Sequence, residues 1–354
     1  MTEQLGLERS AETPSATYIL PLKRGRAGGL GDLPGYLQRV LSWSAVLVVD
    51  GSPPEVFAEH SRLLPAGVVH LRPEYACLNG KVSGVLTGIR HARTKTLVIA
   101  DDDVRYTADS FRRVADLLQS ADVVRPQNYF SDLPWHARWD TARSLLNRAL
   151  GADYPGTLGV RRSALLATHG YDGDVLFENL ELIRTVRSAG GREVVARSLF
   201  IPRKPCAAGH FLRQRVRQAY DDFAQPARLA LELSLLPGVL LGRRRWPLLP
   251  LAAAATAAGI AEAGRRRAGG TRVFPPSSAL WAPAWLLERS VSIWAALVFR
   301  LAGGIPYAGA RITTAAHSRR VLRRRFAGRQ AVRSGRTGAG DPAAPVRLGA
   351  APAA

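Results

Sequence analysis

TLVIADDD, residues 96–103, sets a short run of apolar and β-branched residues directly before three aspartates. A run this short predicts a buried strand over residues 96–100 rather than a helix. In an open α/β sheet, ligands bind at the carboxyl ends of the strands, and that is where Asp101, Asp102 and Asp103 fall. Three adjacent carboxylates repel one another. A hard divalent cation, Mn2+ or Mg2+, relieves that repulsion through oxygen ligands and can bridge a diphosphate. The competing reading is a solvated acidic turn or a helix N-cap, which aspartate also makes well.

Upstream, AVLVVD (45–50) repeats the pattern, a strand ending in Asp50, and GSPP then turns the chain into a helix. Asp50 there is placed to accept hydrogen bonds from a base or ribose, or only to cap that helix. TYILPL (17–22), residues 68–71 and ADVVRP (121–126) read as further strands, and residues 36–41, 82–92 and 110–119 as helices. Strands alternating with helices at this spacing predict an α/β fold with a mostly parallel sheet covered on both faces. Lys81, one of four lysines, opens a helix where backbone N–H groups and an ammonium can face a diphosphate. From residue 134 to 225 the pattern is less regular, with helices at 135–150, 162–168, 178–189 and 211–223 and short strands at 156–160 and 193–196.

The net charge of +21 is unevenly spread. Residues 1–225 carry 29 Lys and Arg against 24 acids, whereas residues 226–354 carry 20 Arg against 4 acids. In that last third, arginines flank apolar stretches at 229–242, 246–263 and 279–302. This arrangement suits anionic lipid head groups and argues against a nucleic-acid partner, which a basic soluble domain with exposed aromatics would serve better. The stretches lie near or below the ~20 residues a spanning helix needs, and the third, carrying Glu288, Arg289 and Arg300, reads as interfacial. Residues 226–305 are therefore expected to be a membrane-associated helical region, residues 17–225 the catalytic domain, and residues 1–16 and most of 306–354 disordered. Cys77 and Cys206 match no metal-ligand spacing and read as thiols in a reducing compartment; His136, His169 and His210 form no zinc pattern.

Strand–Asp50, then Asn79-Gly80-Lys81, then strand–Asp101-Asp102-Asp103 resembles the family 2 glycosyltransferases, whose catalytic domain has the GT-A fold, a Rossmann-like mixed sheet. FENLEL (177–182) stands where that family has a Glu-Asp pair opening a helix. QRVRQ (214–218) is similar to the QxxRW motif of its membrane-bound, ceramide-glucosyltransferase-like branch, and the apolar segments follow it as they do there. The resemblance implies that Asp50 contacts the nucleoside, Lys81 the diphosphate region, and Asp101 and Asp103 the metal, with Asp101 and Asp102 also binding the donor. Gln214 and Arg217 would hold the donor diphosphate or the acceptor end. Asn179 replaces the family's base aspartate, which leaves Glu178 and Glu181 as candidates, and Gln218 replaces the tryptophan. The implied activity is metal-dependent, inverting transfer from a nucleotide-sugar to a lipid or lipid-linked hydroxyl at the cell membrane, with the catalytic domain on the cytoplasmic side. Two other readings stay open: a nucleotidyltransferase using the Gly-rich loop GRAGGLG (25–31), and a catalytically silent membrane protein.

Overall fold

The structure, a computed structural model, describes residues 15–336. Of the disorder expected over residues 1–16 and in the tail, residues 1–14 and 337–354 lie outside the described residues, whereas Ala16 is buried at the start of the first strand.

The first half alternates strand and helix: β1 (Ala16–Leu22), α1 (Leu33–Val40), β2 (Ala45–Asp50), α2 (Pro54–Leu63), β3 (Val69–Leu71), α3 (Gly80–His91), β4 (Thr96–Ala100) and α4 (Ala108–Leu117). Then come β5 (Val123–Phe130), α5 (Trp135–Leu150), β6 (Thr157–Arg161), α6 (Arg162–Ala167), α7 (Glu178–Ser188) and β7 (Glu193–Arg203). Seven strands form one sheet in the order β3-β2-β1-β4-β6-β5-β7. β6 runs antiparallel between β4 and β5, and the other pairings are parallel. The sheet is thus mixed and mostly parallel, as expected.

Alternation along the strands divides the core. Tyr18, Leu20, Val46, Val48 and Val98 face α1 and α4. Ile19, Leu47, Leu97 and Ile99 face α3 and α7. Both faces are buried because each strand is apolar at successive positions, the mark of a doubly covered sheet. α3 lies close over β1 because it presents glycines there: a Cβ on Gly88 would stand 2.5 Å from Ile19 Cγ2, and one on Gly84 3.0 Å from Pro21. That approach fixes where the start of α3, and so Lys81, stands relative to the strand ends.

The last third consists of α8 (Ala208–Arg213), α9 (Arg215–Tyr220), α10 (Pro226–Gly242), α11 (Leu249–Arg266) and α12 (Ala282–Leu301). A short hairpin of β8 (Ile305–Tyr307) and β9 (Ala310–Ile312) and then α13 (Arg319–Arg336) follow. The helix expected over residues 211–223 is instead broken at Gln214, between α8 and α9. Residues 306–336, expected within a largely disordered tail, form most of the hairpin and α13.

The expectation of apolar membrane helices is corrected in one respect: among the described residues, no helix is long and apolar enough to cross a membrane. α10 has 17 residues with Pro237 inside it, and α12 buries Arg289 against Asp222 at 3.0 Å. α11 packs on α5 so closely that a Cβ on Gly264 would meet the Leu145 carbonyl oxygen. Fully buried Arg148 of α5 donates to the carbonyls of Gly264, Arg197 and Arg267 and to Gln127 Oε1. The helical third shares cores with the sheet domain, through Ala142, Leu145, Ala261 and Trp285 on one side and Leu180, Tyr220 and Ile293 on another.

Candidate active site

A cavity of about 720 Å³ opens at the carboxyl end of β4. Asp101, Asp102, Asp103, Lys81, Glu178, Gln214 and Arg217 all line it. The structure does not bring Asp50 or Glu181 to it.

The aspartate triplet is held by backbone and by charge. Asp101 N–H donates to the Gly156 carbonyl (2.8 Å), and the Asp103 carbonyl accepts from Lys204 N–H (2.9 Å). Gly156 gives the carboxylate room, because a Cβ there would stand 2.6 Å from Asp101 Oδ2 and push it aside. Each carboxylate meets its own cation. Asp101 pairs with Lys81 (2.5 Å), Asp102 with Arg24, and Asp103 with Arg203 (2.5 Å). The repulsion expected to demand a metal is thus met largely by basic side chains that local sequence does not place beside the triplet.

One oxygen is left over. Asp103 Oδ1 is buried without a hydrogen-bond partner. Burial, with Asp101 and Asp102 adding to it, pushes the Asp103 carboxyl above its ordinary pKa despite Arg203. Among the described residues no three His, Cys, Asp or Glu side chains converge closely enough to hold a metal ion by themselves. The residues therefore fit a cation bound by one or two carboxylates and completed by substrate phosphate oxygens, the usual habit of Mg2+. Asp103, with Asp101, is the pair that would hold it.

Lys81 follows the N-cap of α3, where Asn79 Oδ1 accepts from Lys81 N–H (3.1 Å). Its ammonium also reaches Glu178 at 2.8 Å. Burial works against that charge, but the two carboxylates outweigh it and hold the lysine protonated. Glu178 opens α7. Glu181, one turn on, is fully buried, and its oxygens accept from His317 N–H (2.7 Å) and contact His317 Nδ1 (3.0 Å). Asn179 lines the cavity and donates to the Pro155 carbonyl at 2.9 Å.

Asp50 is equally committed elsewhere. Its carboxylate accepts from Ser52 N–H (2.9 Å) and meets His60 Nδ1 (2.6 Å) and His70 Nε2 (3.2 Å). Burial alone would raise its pKa, but the contacts from His70, Ser52 and His60 hold it well below the usual carboxylate range.

The break at Gln214 sets the α8–α9 corner against the cavity. Gln214 hydrogen-bonds His210, and the Arg217 guanidinium lies 5.5 Å from the Tyr307 ring centroid. Arg217 makes no ion pair among the described residues, whereas Arg215 is buried near Asp140 at 3.6 Å. One turn beyond Arg217 stands Asp221, which sequence reasoning missed. It lines the cavity, and its buried Oδ1 has no partner. Burial pushes its pKa up to about 8, with Asp222 and Glu178 adding to the effect against Arg217. The signal available in sequence was its place four residues after Arg217, on the same helical face.

No family model matches the chain, and no curated protein matches it in sequence. Among solved structures it is similar to the mannosyltransferase PcManGT from Pyrobaculum calidifontis in complex with GDP-Man and Mn2+. The two are 17% identical, over 80% of this chain and 88% of that one, with a TM-score of 0.46.

Proposed function

We propose that the chain transfers a sugar, with inversion, from a nucleotide-diphosphate sugar to a hydroxyl of a lipid or lipid-linked acceptor at the cytoplasmic side of the cell membrane. One observation carries the reading. At the carboxyl end of the central strand, a single cavity holds three aspartates interleaved with Lys81, Arg24 and Arg203, with Arg217 unpaired in the same lining. Such a mixture suits a ligand that brings both phosphate and a divalent cation.

When bound, Mn2+ or Mg2+ would be held by Asp103 and Asp101 and would neutralise charge on the diphosphate. Lys81 and Arg217 supply fixed positive charge for the departing phosphate oxygens. The acceptor oxygen forms a bond to the anomeric carbon as that carbon's bond to the diphosphate oxygen breaks, and the hydroxyl proton passes to a carboxylate. Two carboxylates of the cavity lining, Glu178 and Asp221, are candidates for this role. Asp221 is favoured, because it has a free oxygen and burial pushes its pKa up to about 8, whereas Glu178 is tied to Lys81. Asn179 cannot accept the proton.

Incubating the protein with a panel of nucleotide-sugars and Mn2+ tests the reading. Release of nucleoside diphosphate supports it. Pyrophosphate release would replace it with nucleotidyl transfer, and donor binding without turnover would leave a silent protein.

A further inference from the structure

We propose that the turn joining α10 to α11 is a bilayer anchor that lies in the head-group layer of an anionic membrane without crossing it. This inference rests on the membrane partner of the reaction proposed above and gives that partner a defined surface.

Apolar exposure is concentrated in the helical third. Of nineteen large apolar residues exposed among the described residues, twelve fall between Leu231 and Leu301. The α10–α11 turn gathers five of them: Leu240, Leu241, Trp246, Leu248 and Leu251, of which Leu241 is 81% exposed and Leu248 71%. Arg243, Arg244 and Arg245 sit between them, all exposed. The turn has a defined shape, since Trp246 N–H donates to the Gly242 carbonyl (2.8 Å) and Leu249 N–H to the Trp246 carbonyl (2.9 Å). Leucines, a tryptophan and three arginines at a helical hairpin's tip match the two layers of a membrane interface: acyl chains below, phosphates above.

The acids of this region leave that charge uncompensated at the tip. Glu232 is buried and paired with Arg228 (2.9 Å), and Glu262 is held by Arg265 and Arg266 (2.6 Å each). Glu288 stands 3.8 Å from Arg215. No acid of α10, α11 or α12 is thus left to oppose Arg243, Arg244 and Arg245, so the tip is complementary to an anionic surface rather than to a neutral one. Length sets the mode of attachment. The 17 residues of α10 extend roughly 25 Å, short of a hydrocarbon core of about 30 Å, and Pro237 interrupts them.

The test is co-sedimentation of the full chain with phosphatidylcholine vesicles and with vesicles that also contain phosphatidylglycerol. Strong binding to the anionic vesicles is expected, and Arg243→Gln, Arg244→Gln and Arg245→Gln together should weaken it about a hundredfold. Leu241→Ser, Trp246→Ser and Leu248→Ser together should remove it at low salt as well. Both variants should unfold at the parent's temperature, because these side chains are exposed. Equal binding by parent and variants overturns the anchor. So does the absence of vesicle binding with a self-association, seen by sedimentation velocity, that the serine variant removes. Release of nucleoside diphosphate is measured without vesicles on the same proteins. Its absence in all of them counts against the proposed reaction, while the vesicle result still decides the anchor.

Discussion

Glu178 and Glu181, one helical turn apart on α7, serve different neighbours: Glu178 meets Lys81 in the cavity at 2.8 Å, and Glu181 is fully buried against His317. Their spacing puts them on the same side of an isolated helix. His317, held against α7 by Glu181 and Arg184, is what separates their roles.

Glu178→Gln is therefore expected to lower turnover at least tenfold with little change in thermal stability, since it loosens Lys81 inside the site. Glu181→Gln should do the reverse, costing about 1–3 kcal/mol of stability because a buried hydrogen-bonded carboxylate loses its charge. Denaturant unfolding and donor turnover, measured side by side, check the pair. Equal behaviour of the two variants would remove the distinction.

Asp221 predicts a pH dependence. A base must be deprotonated to accept the acceptor's proton, so the rate should rise with pH through about 8, the value to which burial pushes this carboxyl, and then level off. Asp221→Asn should lower the rate by about a hundredfold or more and flatten that limb. A wild-type profile already level by pH 6 would exclude Asp221 as the base.

Asp103 carries the free oxygen expected to meet the cation. Asp103→Ala should abolish the Mn2+ dependence of donor binding, read as Kd by calorimetry with and without metal. An unchanged metal effect would remove Asp103 from that role. Arg203→Ala tests the neighbouring pair: it leaves Asp103 without its ion-pair partner and should favour the metal while weakening the donor.

Gly264→Ala tests the docking of α11 on α5. The added Cβ would collide with the Leu145 carbonyl, a backbone group that cannot rotate aside. A loss of about 1–3 kcal/mol is expected, the range for forcing extra volume into a packed contact. Equilibrium denaturation measures it, and a neutral result would mean that the two helices part easily.

Much of the sheet was legible because it is built from local patterns. AVLVVD and TLVIA are strands with the expected bounds, and both place carboxylates at their ends. The antiparallel insertion of β6 was not legible, since strand direction depends on the connection through α5 rather than on residues 156–160. Lys81 and the triplet were found because a strand end and a helix start mark themselves in sequence. The contacts of Asp50 were not legible, because its partners, His60 and His70, lie 10 and 20 residues away and give no periodic signal. Two of the triplet's basic partners, Arg24 and Arg203, were missed for the same reason: Arg203 stands 100 residues from Asp103. The break at Gln214 carries neither Gly nor Pro, so nothing local announced it.

Arg148 has a consequence for how the molecule can be divided. Its guanidinium joins Gln127 on the sheet to the carbonyls of Gly264 and Arg267 at the far end of α11. Cutting after residue 225, where the composition changes, would take away two of those acceptors and open the α5 face that α11 covers. The compositional seam is therefore no hinge. The proposed sugar chemistry and the proposed membrane anchor belong to one solid body, so the tilt at which α10 and α11 would meet a bilayer would fix the direction in which the cavity looks.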